Sequence, residues 1–315
     1  MRLMTLIVAL ALLGATPAAA EFPERRPIRV LTPYGAGGGI DIAARILSAV
    51  GERHFGTRVE VVNMPGAGGM NAMVFVHDAE PDGHTLVISD YGPLVTLPLR
   101  ERTPYDPEDW VPLFQVTEIA PTLVVRPDFP DPTFEGWRQR ALEKQGRMHV
   151  THGAYMSSSH LPLLRLEQIS DIRTNHVPTL GGGETLQFLL ASIVEMAITN
   201  SSSIASSVQA GRVIPLAVPT AERVPELPDT PTFTELGYDV VMPVWYTIFA
   251  TAEVPAEIVE MLSEGIAAAY ASERGQELAA QARVDARPIS RADGVQEIYD
   301  ATLEVVRDTL ASVQQ

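Results

Sequence analysis

The apolar positions of this chain fall into short runs whose period switches along the sequence. Ile28 to Thr32 is a compact strand-like run, and from about Asp41 to Arg53 the residues Ile42, Ile46 and Val50 recur at helical spacing, with Ala43 and Leu47 beside them. Val59 to Val62 is again strand-like. A helix with Met70, Met73, Val74 and His77 on one face follows, and Thr85 to Ser89 is a third strand after the Pro81-Asp82-Gly83 turn. Such alternation predicts βαβ units and a parallel sheet. The middle of the chain repeats it, with strands expected over Thr122–Val125, Met148–Thr151, Val194–Thr199 and Ile214–Val218. Helices are expected over Phe134–Lys144, Ser159–Ser170 (N-capped by Ser159), Gly183–Ser192 and Ser203–Ala210, the last stopped by Gly211. A proline-rich link, Val224 to Pro231, precedes the apolar run Trp245–Ala250. The tail reads as helices over Ala256–Ala271 and Gln276–Ala282 and a last one opened by Ser290-Arg291-Ala292-Asp293, a capping-box-like start. The 121–125 and 244–250 runs are the candidate crossovers between two domains.

Three glycine-rich turns punctuate this pattern, each after an apolar run and before a helix: Pro33 to Asp41, Asn63 to Gly69, and Gly181 to Gly183. Glycine lets backbone approach a ligand closely, and a helix start presents free N–H groups and a positive dipole end, which suits an anion. One such turn is explained by backbone geometry alone; three favour a shared crevice at the carboxyl edge of an open sheet. Tyr34 stands inside the first turn, where an aromatic has little core to join. Trp245 and Tyr246 fit a cleft wall and a core equally well.

The N-terminus adds a compartment. Arg2, the apolar stretch Leu3 to Leu13 and the small-residue run Ala18-Ala19-Ala20 read as a secretory signal peptide over residues 1–20. The apolar stretch falls short of the ~20 residues a membrane span needs. With 46% hydrophobic residues, the rest of the 315-residue chain can fill two cores. Cysteine is absent, which excludes disulfides and thiolate chemistry, and a net charge of −16 argues against nucleic acid.

Catalytic readings find little support. Gly35-x-Gly37 and Gly66-x-Gly68 each lack the third glycine of a dinucleotide fingerprint. No G-x-S-x-G elbow exists, and Ser157-Ser158-Ser159-His160 reads as an N-cap cluster. His149 and His152, three apart on an expected strand, point to opposite faces and make poor co-ligands. Asp82 and Asp106 sit in turns where aspartate bonds local backbone.

The chain resembles the Bug (TctC-like) family, the periplasmic substrate-binding proteins of tripartite tricarboxylate transporters. The resemblance is carried by Pro27-Ile28-Arg29-Val30 running into the first glycine turn through Arg45, then by Val62 to Gly69, Pro81-Asp82-Gly83-His84-Thr85-Leu86 and Pro104-Tyr105-Asp106-Pro107. It continues in Ser157-Ser158-Ser159-His160-Leu161, His176-Val177-Pro178, Gln209-Ala210-Gly211-Arg212 and Leu227-Pro228-Asp229-Thr230-Pro231-Thr232. The resemblance implies an α/β, two-lobe periplasmic binding protein (type II-like) with a central mixed, mainly parallel sheet in each domain. Residues 21–122 with 250–315 would form one discontinuous domain and 123–249 the other. It implies a non-enzymatic, monomeric receptor for a small organic carboxylate, partnered by membrane permease subunits, without cofactor, metal or catalytic residue. The expected ligand site takes Tyr34, Gly35, Ala36, Gly38, Gly39, Ile40 and Asp41 from the first turn and Ser157, Ser158 and Ser159 from the opposite lobe, with Ser89, Tyr91, Thr179 and Asn200. A sensory receptor for a membrane signalling partner would use the same pocket, and a secreted α/β enzyme is the third alternative.

The chain also departs from the family pattern. Ile40 replaces a usual Thr, Thr179-Leu180 a usual Tyr-Lys, Phe188 a common Asp, and Ile198-Thr199-Asn200 a frequent Phe-Asp-Asn. These changes predict a pocket poorer in acids, unfavourable to an amino acid's ammonium and better suited to a ligand with an apolar body.

Overall fold

The computed structural model describes residue 22, residues 26–282 and residues 302–311. The signal peptide and the Ser290–Asp293 helix start lie outside the described residues. Among the described residues, ten strands form two five-stranded sheets. They are β1 (Ile28–Thr32), β2 (Val59–Asn63), β3 (Thr85–Ser89), β4 (Trp110–Ile119), β5 (Pro121–Val125), β6 (His149–His152), β7 (Asn175–Pro178), β8 (Met196–Asn200), β9 (Ile214–Ala217) and β10 (Val244–Thr251). The helices are α1 (Gly39–Val50), α2 (Glu52–Phe55), α3 (Met70–His77), α4 (Leu97–Arg100), α5 (Phe134–Lys144), α6 (Leu161–Gln168), α7 (Gly182–Leu190), α8 (Ser201–Gln209), α9 (Ala256–Ala271) and α10 (Glu273–Ala282), with a further helical stretch over 302–311.

The two sheets share one plan. The first has the order β2-β1-β3-β10-β4 and the second β7-β6-β8-β5-β9. In each, the second strand from one edge, β10 or β5, runs antiparallel to both neighbours, and the other four strands share a direction. The exceptional strand has the same origin in both cases. The chain leaves the first sheet at Ile119 and enters the second one residue later as β5; it leaves β9 and re-enters the first sheet as β10. These are the two runs marked as crossovers by sequence, and each inserts against the prevailing direction because it arrives from the other lobe.

The inner strands β3, β5 and β10 are buried along their whole length, as expected of strands covered on both faces. One apolar cluster joins β1, β3, β4 and β10 to α1, and takes in Leu262, Ile266 and Tyr270 of α9, Ala279 of α10, and Val306 and Leu310. Tyr270 Oη donates to Ala43 O at 2.8 Å, tying α9 to α1. A second cluster, around Trp137, Phe233, Val150 and Ile198, fills the other lobe.

Two strands escaped the periodicity. In β4, Pro112, Gln115, Thr117 and Glu118 break the apolar run, and the ladder to β10 shifts register beside Pro112, which an edge strand tolerates. The other, β7, is a short edge strand with exposed ends. The expected helix over 41–53 divides at Gly51, where an added Cβ would lie 2.6 Å from Val59 Cγ2. Ser159 does not cap α6. The helix starts at Leu161, His160 holds the cap position without a side-chain bond, and Ser159 Oγ turns to Ser157 Oγ at 3.2 Å.

Candidate ligand-binding site

The first glycine turn leaves the carboxyl end of β1 and opens α1. Gly37 takes φ +83°, which glycine adopts without strain, whereas Gly38 at the cap is extended with φ −80°. The turn is held from below by Asp41, whose carboxylate accepts from Gly37 N–H (3.0 Å), Arg45 Nε (2.8 Å) and Asn63 Nδ2 (2.9 Å). Burial pushes this carboxyl up, but the bonds from Arg45, Gly37 and Asn63 outweigh it and hold the group below its usual range. Arg45 is therefore occupied with Asp41, and the turn faces the other lobe with backbone.

That lobe answers with two helix starts and a loop. The third turn, capped by Gly181 at φ +154°, opens α7; Asn200 caps α8; and residues 153–159 follow β6. The lobes meet through Gly35 N–H to Leu180 O (2.8 Å), Gly39 N–H to Ser203 Oγ (3.2 Å), Tyr91 Oη to Ser158 O (3.1 Å) and Asn200 Nδ2 to Tyr246 Oη (2.5 Å). Between them lies a narrow cavity of about 30 Å³, partly open to solvent. Helices α1, α7 and α8 all point their N-termini toward it. In α1 the N–H groups of Ile40 and Asp41 precede the first intrahelical bond, from Ile42 N–H to Gly38 O, so the wall is rich in donors and positive in potential.

Of the expected site residues, Tyr34, Gly35, Gly38, Gly39, Ile40, Asp41, Ser157, Ser158, Ser159 and Asn200 line this cavity. Ala36, Ser89, Tyr91 and Thr179 stand behind or beside it. Ala36 O abuts Gly183, Ser89 Oγ donates to Asp90 O, Tyr91 bridges to Ser158 O, and Thr179 Oγ1 bonds His152 O and Thr185 Oγ1 beneath the third turn. The second glycine turn is not part of the cavity. Gly66, Gly68 and Gly69 have positive φ, and Gly69 packs against Pro33 and Pro93, so this turn follows the backbone-geometry reading. Trp245 and Tyr246, adjacent on β10, divide as opposite faces of a strand must: Trp245 is buried beside Tyr91 and donates to Thr302 Oγ1, and Tyr246 joins the cavity wall. Phe188 packs on the apolar cluster of α7 and α8, and Leu180 is 54% exposed, so neither supplies an apolar lining.

Sequence reading placed the third turn, Gly181 and Gly182, at a shared crevice but missed Gly153, Thr199 and, above all, Asp90. Asp90 follows the last residue of β3, at the sheet edge where ligands of α/β folds sit. Its Oδ1 accepts from Gly92 N–H (2.7 Å) and Tyr34 Oη (3.1 Å). Burial pushes its carboxyl up to about 6 against the pull of bonds from Ser158, Gly92 and Tyr34. Tyr34 is in turn held well above its ordinary range, by burial first and by Asp90 second, and stays a neutral donor.

Behind the serine loop His152, His160 and His176 bring ring nitrogens within 4.8 Å of one another. His152 was expected to be an ordinary strand-end histidine; its partners are His160 and His176, while His149 is exposed. Met156 N–H donates to His160 Nδ1 (2.9 Å), so the proton of the neutral ring is on Nε2 and points to His176 Nδ1 (2.9 Å). His176 Nε2 then donates to Glu167 (3.2 Å). His152 lies flat on His160, centroids 3.5 Å apart and planes 6° from parallel, so their in-plane lone pairs do not converge on one ion. As arranged, His160, His176 and Glu167 form a hydrogen-bond relay supporting the loop, and His152 stacks on it with its Nδ1 bonded to Gly153 O.

The sequence model of the "Tripartite tricarboxylate transporter family receptor" matches residues 43–303. A protein of Pseudomonas sp. (strain P51), "UPF0065 protein in tcbD-tcbE intergenic region", is 31% identical over 256 residues, covering 80% of this chain and 75% of that protein. Among solved structures, MatC (Rpa3494) from Rhodopseudomonas palustris with bound malate superposes with a TM-score of 0.84 at 25% identity, covering 90% of this chain and 98% of that one. R. palustris Rpa4515 with adipate gives 0.85 at 26%, covering 92% and 98%.

Proposed function

The chain belongs to the tripartite tricarboxylate transporter receptor family, and from that premise we propose that it is an exported, periplasmic solute receptor. It captures a small organic carboxylate between its lobes and delivers it to the permease subunits of a tripartite transporter; it carries out no chemistry on the ligand. The observation that carries this reading is the convergence of the N-termini of α1, α7 and α8 on one interlobe cavity whose described lining contains no basic side chain. Backbone N–H groups and helix dipoles suit a carboxylate there. The malate and adipate held by the two structural relatives belong to the same chemical class. In α1 the acid of the first turn is neutralised by Arg45, so it does not repel an arriving anion.

The reading is tested by a thermal-shift screen of the chain after residue 20 against aliphatic and aromatic mono-, di- and tricarboxylates, with calorimetry on any hit. A ligand at a hundredfold over its Kd adds about 2.7 kcal/mol to stability. At least one carboxylate should give a saturable shift that its methyl ester does not. No shift from any carboxylate, or equal shifts from acid and ester, would overturn it.

A further inference from the structure

The cavity is bipolar. Its lining offers helix-start N–H groups from both lobes and, at the end of β3, Asp90, a carboxylate 1% exposed whose neighbours are neutral donors: Gly92 N–H, Tyr34 Oη and the Ser158 side chain. Its fellow acid Asp41 is matched by Arg45, but no described lining residue is basic, so Asp90 has no counter-charge. From the other lobe the Asn200 amide, at the cap of α8, donates to Tyr246 Oη and leaves Oδ1 buried without a partner, a second acceptor. A ligand with a carboxylate at each end would set one of them beside Asp90, whose own burial leaves like charges poorly screened and repelling.

Resting on the receptor reading above, we propose that the ligand is an aminocarboxylate, its carboxylate at the helix starts and its ammonium on Asp90. Charge decides for nitrogen over hydroxyl. Each helix end is equivalent to roughly half a positive charge, enough for the ligand carboxylate but not for Asp90 as well. An ammonium supplies the missing unit and forms a bond charged on both sides, stronger than a hydroxyl gives to the same oxygen. The acids missing at the Phe188 and Thr199 positions do not weigh against this, because Asp90 supplies an acid from the end of β3. The burial that pushes the Asp90 carboxyl upward without a ligand fits an acceptor waiting for its cation.

The test uses matched pairs on the chain after residue 20, by calorimetry at pH 7.5: L-aspartate, L-malate and succinate; L-glutamate and glutarate; β-alanine and propionate. In the wild type, at least one amino compound should bind a hundredfold or more tighter than its deaminated partner. Asp90→Asn should remove most of that preference while the deaminated partner binds equally or better. The wild-type ratios need no variant, so they decide even if Asp90→Asn folds poorly. If succinate, malate, glutarate or propionate binds as tightly as its amino counterpart, Asp90 is only a partner for Tyr34 and Gly92, and this proposal falls while the carboxylate reading stands. If no compound of either series binds and the wider carboxylate screen is also blank, both fall together.

Discussion

At the scale of single residues, the glycines of the two facing turns separate backbone strain from close approach. Gly183 has an ordinary φ, but a Cβ there would lie 2.9 Å from Ala36 O of the opposite lobe. Gly37, at φ +83°, has nothing within 4 Å of its Cβ position. Gly183→Ala should therefore leave the unliganded melting temperature unchanged or slightly raised, since alanine suits a helix better, yet weaken ligand binding at least tenfold by holding the lobes apart. Gly37→Ala should do the reverse, costing about 1 kcal/mol of stability with affinity within about threefold. Equal affinity of Gly183→Ala and wild type would mean that the two turns need not meet for binding. Arg45 supplies a third comparison. Its guanidinium bonds Asp41 and Asn63 rather than the cavity, so Arg45→Ala should cost less than tenfold in affinity, ~1.4 kcal/mol, by titration with the same ligand; complete loss would make Arg45 a ligand contact. Gly38, by contrast, is extended, and a Cβ there would touch Gly182 N of the facing turn at 3.5 Å, so a larger side chain tests the space between the turns and not strain.

At the scale of elements, the loop between β6 and α6 rests on the histidine relay, and the relay makes stability depend on pH. Burial pushes His152 down to about 4, and burial with the two neighbouring rings holds His160 well below its ordinary 6.5. The unfolded chain binds protons near 6.5 that the folded chain refuses, so this stability is present above 6.5 and is lost as pH falls toward 4. Each histidine can lose up to about 1.4 kcal/mol per pH unit. Asp90 acts with opposite sign, taking a proton near 6 when folded and only near 3.8 when unfolded, and so offsets about one histidine across that window; Glu118, also raised by burial, adds to the offset. Urea midpoints should thus fall between pH 6.5 and 5, and His152→Gln should remove about one proton's worth of the slope. An identical slope in that variant would place the acid sensitivity elsewhere. None of this was legible in the sequence, because His152, His160 and His176 come from β6, the loop before α6 and β7, and only packing makes them neighbours. Elements with clean periodicity were legible, such as β3, α5 and α9, whose limits match their apolar runs. Elements shaped by neighbours were not: β4 is carried by its ladder to β10 across Pro112, and β7 by pairing with β6. The cavity was legible where backbone chemistry announced it, in the first and third glycine turns, and at the serine loop through the family resemblance. Asp90 was not, because Ser-Asp-Tyr-Gly reads as a turn in which aspartate bonds local backbone, and it does bond Gly92 while also facing the cleft.

At the scale of the whole molecule, the proposed function requires the lobes to part, and the topology says where. Two passages carry the chain between sheets at the site: the single residue Ala120 between β4 and β5, and the approach to β10. Both lead into strands that are internal to their sheets, fully buried and antiparallel to their neighbours, so each sheet is anchored by the strand that enters from the other lobe. Rotation is therefore expected at the joints before β5 and β10, with the sheets rigid. The closed arrangement is held across the cleft by the bonds of Gly35, Gly39, Tyr91 and Asn200 to neutral groups, with the Ser158 side chain on Asp90 and Arg100 Nη1 donating to Tyr155 O. Each such bond is worth only ~1 kcal/mol net in competition with water, so the unliganded molecule should exchange between open and closed forms, and a ligand that contacts both walls should shift the balance to the closed one. Because the chain contains no cysteine, Arg53→Cys on the first lobe and Ser206→Cys on the second, both at exposed positions, can carry a dye pair. Single-molecule energy transfer should show a longer-distance population without ligand that collapses to one short distance at saturation, and in Gly183→Ala the short population should remain incomplete. One unchanged distribution with and without a saturating ligand would rule out hinge closure, and with it the idea that a permease distinguishes loaded from empty receptor by the closure of its lobes.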